Sequence, residues 1–248
     1  MIPKIVHYCW FGHNPLPASA LKCIASWRRF LPDYEIKEWN EDNFDVNIIP
    51  YTQQAYAAKK YAFVSDYARF WILYKYGGVY FDTDVEVIKP MDDIIARGPF
   101  MGIECNGNRK DKSVAINPGL GLGATSGMEI YRKIIEQFHQ MEFYANDGSI
   151  CSYTMIPMIT LLYSEKGFKA NGEVEYVANT FIYPQDYFNP FDDLTGKLNT
   201  TTNTYSIHWY SKTWINASQR QIWLSRLVHR LFGLRIHRLK SFLKGMHK

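Results

Sequence analysis

The 248 residues, 47% hydrophobic and 16% aromatic, fit one medium-sized domain with a substantial core and a short appendage. The formal net charge of +4 is local: eight of the 28 Lys and Arg lie beyond position 216, where there is no Asp or Glu. Residues 1–216 therefore carry 20 basic against 24 acidic side chains, a net charge of −4, which argues against a nucleic-acid partner. Four cysteines without C-x-x-C spacing give no disulfide framework and fit a reducing cytoplasm. The opening residues lack the features of a signal peptide, and no apolar run approaches the about 20 residues of a membrane span, so the expectation is a chain neither exported nor integral.

Residues 4–10 read as a buried strand that ends in the loop Trp10-Phe11-Gly12. Ligands of open α/β sheets sit beyond the carboxyl ends of strands, so Trp10 is either a stacking platform for a base or a core tryptophan. Pro17 suits a helix start, and Leu21, Ile24, Ala25 and Trp27 form the apolar face of a helix reaching about Phe30. Residues 34–39 alternate as a second strand, followed by a polar turn over 40–43. In 62–76, Phe63, Tyr67, Phe70, Trp71 and Tyr74 recur every three or four residues, as on one helix face. Gly77 and Gly78 stop that helix, and Val79-Tyr80-Phe81 is a short strand leading into Asp82-Thr83-Asp84. Strand, helix, strand, helix, strand predicts a parallel sheet with covering helices.

Two carboxylates one residue apart at a strand end share a face, which makes Asp82 and Asp84 a doubly negative oxygen site. Such a site needs a cation, best a hard divalent ion, magnesium or manganese. A lone D-x-D usually marks a solvated turn; the buried strand directly before it separates this one from that class. Glu86 is either a further ligand or, preferably, the polar side of a strand continuing to Pro90. Upstream, Ser65-Asp66-Tyr67-Ala68-Arg69 puts Asp66 and Arg69 three apart on a helix. They are either an intrahelical ion pair or a grip on sugar hydroxyls and phosphate beside the metal.

Beyond Pro90, residues 100–104 read as a strand and 106–112 as a polar loop. The Gly-rich 116–123 has neither a Gly-Lys-Ser/Thr ending nor G-x-G-x-x-G spacing, so its glycines permit close backbone approach to substrate or mark a flexed strand. A helix follows over 127–144, a turn over 147–149, a short helix over 156–163 and a strand over 174–177. Residues 182–191 form an aromatic loop and 197–204 an exposed polar stretch. Strand 205–210 carries His208, which with Ser211 and Trp214 suits contacts to a metal or diphosphate, although a histidine on a strand is equally a structural one. The tail 217–248 interleaves apolar side chains with cations only, as on an anionic membrane surface; an amphipathic helix docked on the domain is the rival.

Ser65-Asp66-x-x-Arg69 followed by Leu73-Tyr-Lys-Tyr-Gly-Gly-Val-Tyr-Phe-Asp-Thr-Asp-Val85 resembles glycosyltransferase family 32, which includes bacterial capsular polysaccharide enzymes and the yeast mannosyltransferases that initiate outer chains. The catalytic domains of large clostridial glucosylating toxins share a more distant version. The likeness extends to residues 2–12, Ser26-Trp27, Pro32-Asp33-Tyr34 and Trp39, is specific over 1–92, and returns weakly at Ile207-His208-Trp209 and Trp214. It implies an α/β fold of the GT-A type, a Rossmann-like mixed sheet flanked by helices, as a catalytic domain over 1–216, with 217–248 as a basic amphipathic helical tail.

The activity implied is metal-dependent, retaining transfer of a sugar from a nucleotide-diphosphate sugar, UDP preferred and GDP the competitor. The acceptor would be a glycan or lipid-linked oligosaccharide in bacterial surface polysaccharide synthesis, on the cytoplasmic face of the membrane. Asp84, Asp82 and His208 would hold Mn2+ or Mg2+. Asp66, Arg69, Asp82 and Asp84 would be catalytic, and Trp10, Ser65, Asp82, Ser211 and Trp214 would bind the donor. No enzymatic nucleophile is evident, which leaves front-side attack assisted by the leaving phosphate. Two other classes fit less well. A metal-dependent phosphoester hydrolase would recruit more Asp, Glu and His ligands; a non-catalytic carbohydrate-binding or membrane scaffold would not need the acidic pair.

Overall fold

The computed structural model describes residues 1–105, 114–151, 155–211 and 219–232; the expected loop 106–112, Trp214 and most of the tail lie outside them. The first half is β1 (Ile5–Cys9), α1 (Ala18–Phe30), β2 (Glu35–Trp39), α2 (Pro50–Ala57), α3 (Tyr61–Tyr76) and β3 (Gly78–Tyr80). β1 lies between β2 and β3 and is parallel to both, as the alternation of strands and helices predicts. Then come β4 (Val85–Val87), α4 (Asp92–Arg97), β5 (Phe100–Cys105), β6 (Val114–Asn117), a 3-10 turn (Pro118–Leu120), β7 (Leu122–Ala124), α5 (Glu129–Gln140) and α6 (Met155–Ser164). The chain continues through β8 (Glu175–Val177), β9 (Thr180–Tyr183), α7 (Gln185–Phe188), β10 (Phe191–Asp192), β11 (Lys197–Leu198), β12 (Ser206–His208) and α8 (Gln219–Phe232).

The main sheet runs β2-β1-β3-β7-β5-β9-β8, with β6 on β5. Its second half is mixed: β5 and β9 are parallel, while β3–β7, β5–β7, β5–β6 and β8–β9 are antiparallel. Three expectations are corrected. Residues 79–90 are not one strand, because the chain leaves the sheet after Tyr80, turns, and enters β4, which pairs with β12 in a separate two-stranded sheet. The helix expected over 127–144 is shorter, since Met128 and Met141 are both extended. Residues 182–191 are not a loop but the end of β9, α7 and the start of β10.

Two apolar clusters sandwich the sheet, and the alternation along β3 feeds both, Val79 on one side and Tyr80 on the other. On one side α3 packs against α2 and α5 through Tyr67, Phe70, Tyr131 and Phe138. α3 is apolar on more than one face: Val64, Ala68, Ile72 and Leu73 are buried as well. On the other side Trp27 of α1 packs on Phe81, and its indole N–H donates to the Val85 carbonyl at 2.7 Å. That bond holds the start of β4 just beyond the acidic pair. Among the described residues no helix is long and apolar enough to cross a membrane.

His7, in the middle of β1, is buried. The Trp39 indole donates to its Nδ1 at 3.0 Å, which leaves Nε2–H to donate to the Gly77 carbonyl at 2.9 Å. This fixes a neutral tautomer, and burial, against the pull of that carbonyl, lowers the imidazole from 6.5 to about 4. Gly78 explains itself here: its φ is +105°, and a Cβ would lie 2.8 Å from His7 Nε2. Because the unfolded chain takes up this proton at higher pH than the folded one, stability rises with pH between these values and falls on acidification. From pH 7 to pH 5 the His7 contribution should shrink by about 2 kcal/mol. Urea titrations of wild type and His7→Gln at both pH values check this. The variant should lose less stability on acidification by that amount, and equal losses would refute it.

Candidate functional site

β1 and β3 are neighbouring parallel strands, so the loops at their carboxyl ends, Trp10 and the acidic pair, open on one edge of the sheet. Asp82 and Asp84 meet through a turn rather than by strand alternation: Val85 N–H donates to the Asp82 carbonyl at 3.0 Å, and β4 then turns away. β12 runs antiparallel to β4 with His208 opposite Val85, and the Trp209 amide donates to the Asp84 carbonyl at 2.9 Å. One donor atom each from Asp82, Asp84 and His208 falls within a 4.8 Å cluster.

Asp84 is the best-held carboxylate. Its Oδ1 lies 3.1 Å from His208 Nε2, and its Oδ2 accepts from the Ser211 amide at 2.8 Å and the Ser211 hydroxyl at 3.0 Å. Burial would raise its pKa, but the His208 charge and these hydrogen bonds outweigh it and hold the carboxyl well below the usual range. For His208 burial pulls downward, yet Asp84 beside it raises the imidazole above its ordinary value. Among the described residues its Nδ1 is buried without a hydrogen-bond partner, and its ring stands edge-on to Tyr210, 4.1 Å between centroids.

Asp82 is held from the other side. Arg69 Nη2 lies 3.0 Å from its Oδ1, to which the Tyr80 hydroxyl also donates at 3.2 Å. The same Arg69 nitrogen is 3.0 Å from Asp66 Oδ1, so one guanidinium joins the helix acid to the turn acid. Arg69 is 4% exposed at its side chain against 21% for Asp66 and 26% for Asp82. Burial pushes Asp66 up to about 6 and raises Asp82 as well, in each case against the pull of Arg69. Ser65 gives its hydroxyl to the Tyr61 carbonyl at 3.2 Å and its carbonyl to Arg69 Nε at 3.3 Å.

Gly119 completes the cradle. A Cβ there would lie 2.6 Å from Asp82 Oδ2, so only glycine lets that oxygen keep its position. Gly119→Ala should displace Asp82 and weaken Mn2+ binding about 10- to 100-fold. Calorimetric titration with Mn2+ reads this directly, and wild-type affinity in the variant would remove Asp82 from the ligand set.

The donor set fits a hard divalent ion. Adjacent ligands of an octahedral ion bound at about 2.1 Å stand about 3 Å apart, close to the separation of His208 and Asp84. Asp82 adds a second carboxylate oxygen to the cluster. Glu86 is turned elsewhere, toward the Lys22 ammonium at 3.1 Å and the Trp209 indole N–H at 2.8 Å. Trp10 is half-buried at the rim, its indole N–H donating to the Asn14 carbonyl at 2.6 Å.

One group of polar residues beside the site carries no sequence signature. Glu104 of β5 accepts from Asn117 Nδ2 at 2.7 Å and from the Tyr210 hydroxyl at 2.9 Å. Asn117 Oδ1 in turn accepts from the Gly119 amide at 2.7 Å. The cluster therefore links the Asp82 cradle to the ring beside His208. The one local hint was Asn117 ahead of Pro118-Gly119, an arrangement suited to a side-chain-capped turn.

Residues 17–101 match the family described as glycosyltransferase sugar-binding region containing DXD motif. Inositol phosphoceramide mannosyltransferase 1 of Schizosaccharomyces pombe is 30% identical over 111 residues, 40% of this chain and 33% of its own length. Inositol phosphoceramide mannosyltransferase 3 of the same organism is 33% identical over 98 residues, 38% of this chain and 27% of its own length. The chain thus spans about a third of the length of these curated relatives. The crystal structure of a glycosyltransferase involved in the glycosylation of the major capsid of PBCV-1 superposes with a TM-score of 0.50, covering 89% of this chain and 98% of that one at 11% identity. That likeness is one of fold, and the mixed sheet flanked by helices is of the GT-A type. The resemblance read from the sequence to family 32 glycosyltransferases is borne out by these matches.

Proposed function

We propose that the chain is a metal-dependent, retaining glycosyltransferase that moves a sugar from a nucleotide-diphosphate sugar to a glycan or lipid-linked acceptor. The observation that carries this reading is that His208 of β12 converges with Asp82 and Asp84 at the carboxyl edge of the parallel strands, the two acids lying within the stretch shared with sugar-binding regions. Bound there, Mn2+ or Mg2+ supplies positive charge where the departing diphosphate gains negative charge. Asp84 and His208 hold that ion, and Asp82 binds it or the ribose. Arg69 is too buried and too committed to its two carboxylates to reach far, so it sets the orientation of Asp66, whose other oxygen receives the sugar hydroxyls. Trp10 stacks on the base; Ser65 lines the donor side, and Ser211 meets the diphosphate, a role that the family resemblance also implies for Trp214. The bond from the anomeric carbon to the diphosphate oxygen breaks as the acceptor oxygen bonds that carbon from the same face, its proton passing to the leaving phosphate.

The donor is a UDP-sugar, with a GDP-sugar as the alternative, and the place is bacterial surface polysaccharide synthesis at the cytoplasmic membrane. The acceptor named for both yeast relatives, an inositol phosphoceramide, supports a lipid-borne hydroxyl. So does α8, the described part of the basic segment 217–248: Ile222 is buried while Trp223 and Leu224 are exposed. Residues 1–216 form the catalytic domain in this reading. A thermal-shift panel of UDP- and GDP-sugars with and without Mn2+ tests the donor, because ligands of the native state raise its apparent stability. A shift with one donor that needs Mn2+ supports the reading, and no shift with any donor rejects it. NMR of the product anomer tests retention, and an inverted linkage excludes it. Sedimentation with anionic against neutral vesicles tests the tail.

A further inference from the structure

Helix α8 reaches back to the metal-site loop through Arg226. Its Nε donates to the Asp193 carbonyl at 3.2 Å and its Nη2 pairs with Asp193 Oδ1 at 2.9 Å. The same Nη2 also faces the carbonyls of Trp209 at 3.3 Å and Tyr210 at 3.0 Å. The guanidinium lies over the Phe191 ring, 4.9 Å from its centroid, and its stem passes Gly196, where a Cβ would stand 3.3 Å from Arg226 Cδ. The side chain is thus seated against the β10–β11 hairpin.

The peptide it grips is the one that holds Asp84. The Tyr210 carbonyl and the Ser211 amide belong to a single planar unit, one end accepting from Arg226 and the other donating to Asp84 Oδ2. Tyr210 itself has φ +49°, a left-handed conformation that residues with a Cβ seldom adopt without outside support. Its ring meanwhile packs on His208 and its hydroxyl bonds Glu104.

We propose that Arg226 is a positioning residue for the metal site, fixing the Tyr210–Ser211 peptide so that Asp84 and His208 stand ready for the ion. The inference rests on reading Asp84 and His208 as metal ligands, and it makes the basic C-terminal helix part of the active-site framework. Arg226→Met in the full chain tests it by two independent readings. Hydrogen exchange of the Ser211 and Trp209 amides should quicken at least tenfold while amides of β1 and β3 stay within twofold. The Mn2+ dissociation constant should rise about 10- to 100-fold. Arg226→Lys, which keeps the charge without the planar fork, should fall between the two. Unchanged exchange at these two amides, or a uniform rise across β1 and β3, would overturn the proposal. If the wild type takes up no Mn2+, the metal reading fails by itself and the exchange comparison still decides on Arg226. Should Arg226→Met not fold, Asp193→Asn read at the same amides decides, with a smaller rise expected.

Discussion

Asp84→Asn should lower metal-supported turnover at least about a thousandfold, equivalent to about 4 kcal/mol of lost transition-state stabilisation, while the fold persists. The substitution keeps the shape of the side chain, and an amide oxygen still accepts the bonds that the Ser211 amide and hydroxyl give to Oδ2. What it removes is the negative charge opposite His208, in the carboxylate that its surroundings hold most firmly ionised. Binding of Mn2+ should weaken in parallel, whereas far-ultraviolet dichroism and the melting temperature should change little. Asp82→Asn should be milder in metal affinity, because Arg69 and Tyr80 already occupy one of its oxygens. Turnover of Asp84→Asn at the wild-type level, with Mn2+ still required, would sink the assignment of this residue.

The carboxylate pair was legible in the sequence because an apolar strand ran straight into it, but its geometry was not. Strand alternation predicted a shared face. The structure instead turns between Asp82 and Asp84, because β4 finds its partner in β12, far along the chain. Such a pairing leaves no local signature, since β4 and β12 are three residues each. His208 was visible only through the weak family likeness around Ile207-His208-Trp209. Glu104, Asn117 and Tyr210 come from three separate segments whose spacing follows no period, so only the folded chain brings them together. The parallel half of the sheet followed from the order of strands and helices. Part of its mixed half was hidden in the Gly-rich 116–123, which forms the end of β6, a 3-10 turn and the start of β7, and whose glycines leave room for Asp82, Phe81 and Phe100.

Arg69 read equally well as a surface helix pair or as a functional group, and its burial changes the size of the effect to expect. A solvent-exposed pair at this spacing contributes a few tenths of a kcal/mol. Here the guanidinium is 4% exposed and is the cation shared by two carboxylates. Arg69→Met should therefore leave both acids uncompensated and destabilise the fold by about 3 kcal/mol, the lower end for breaking a buried pair because both acids keep some contact with water. For a chain of this size that corresponds to a fall in melting temperature of about 6–12 °C. Activity should drop further than stability explains, since Asp82 loses the partner that aims it at Asp84. Asp66→Asn introduced alongside Arg69→Met separates the two effects, because it removes one stranded charge but cannot re-aim Asp82. The double variant should regain part of the lost stability and none of the lost turnover. Equal melting temperatures for wild type and Arg69→Met would show instead that Asp66 and Asp82 are solvated well enough to stand alone, and the shared guanidinium would then be an ornament of the helix rather than the joint between it and the acidic turn.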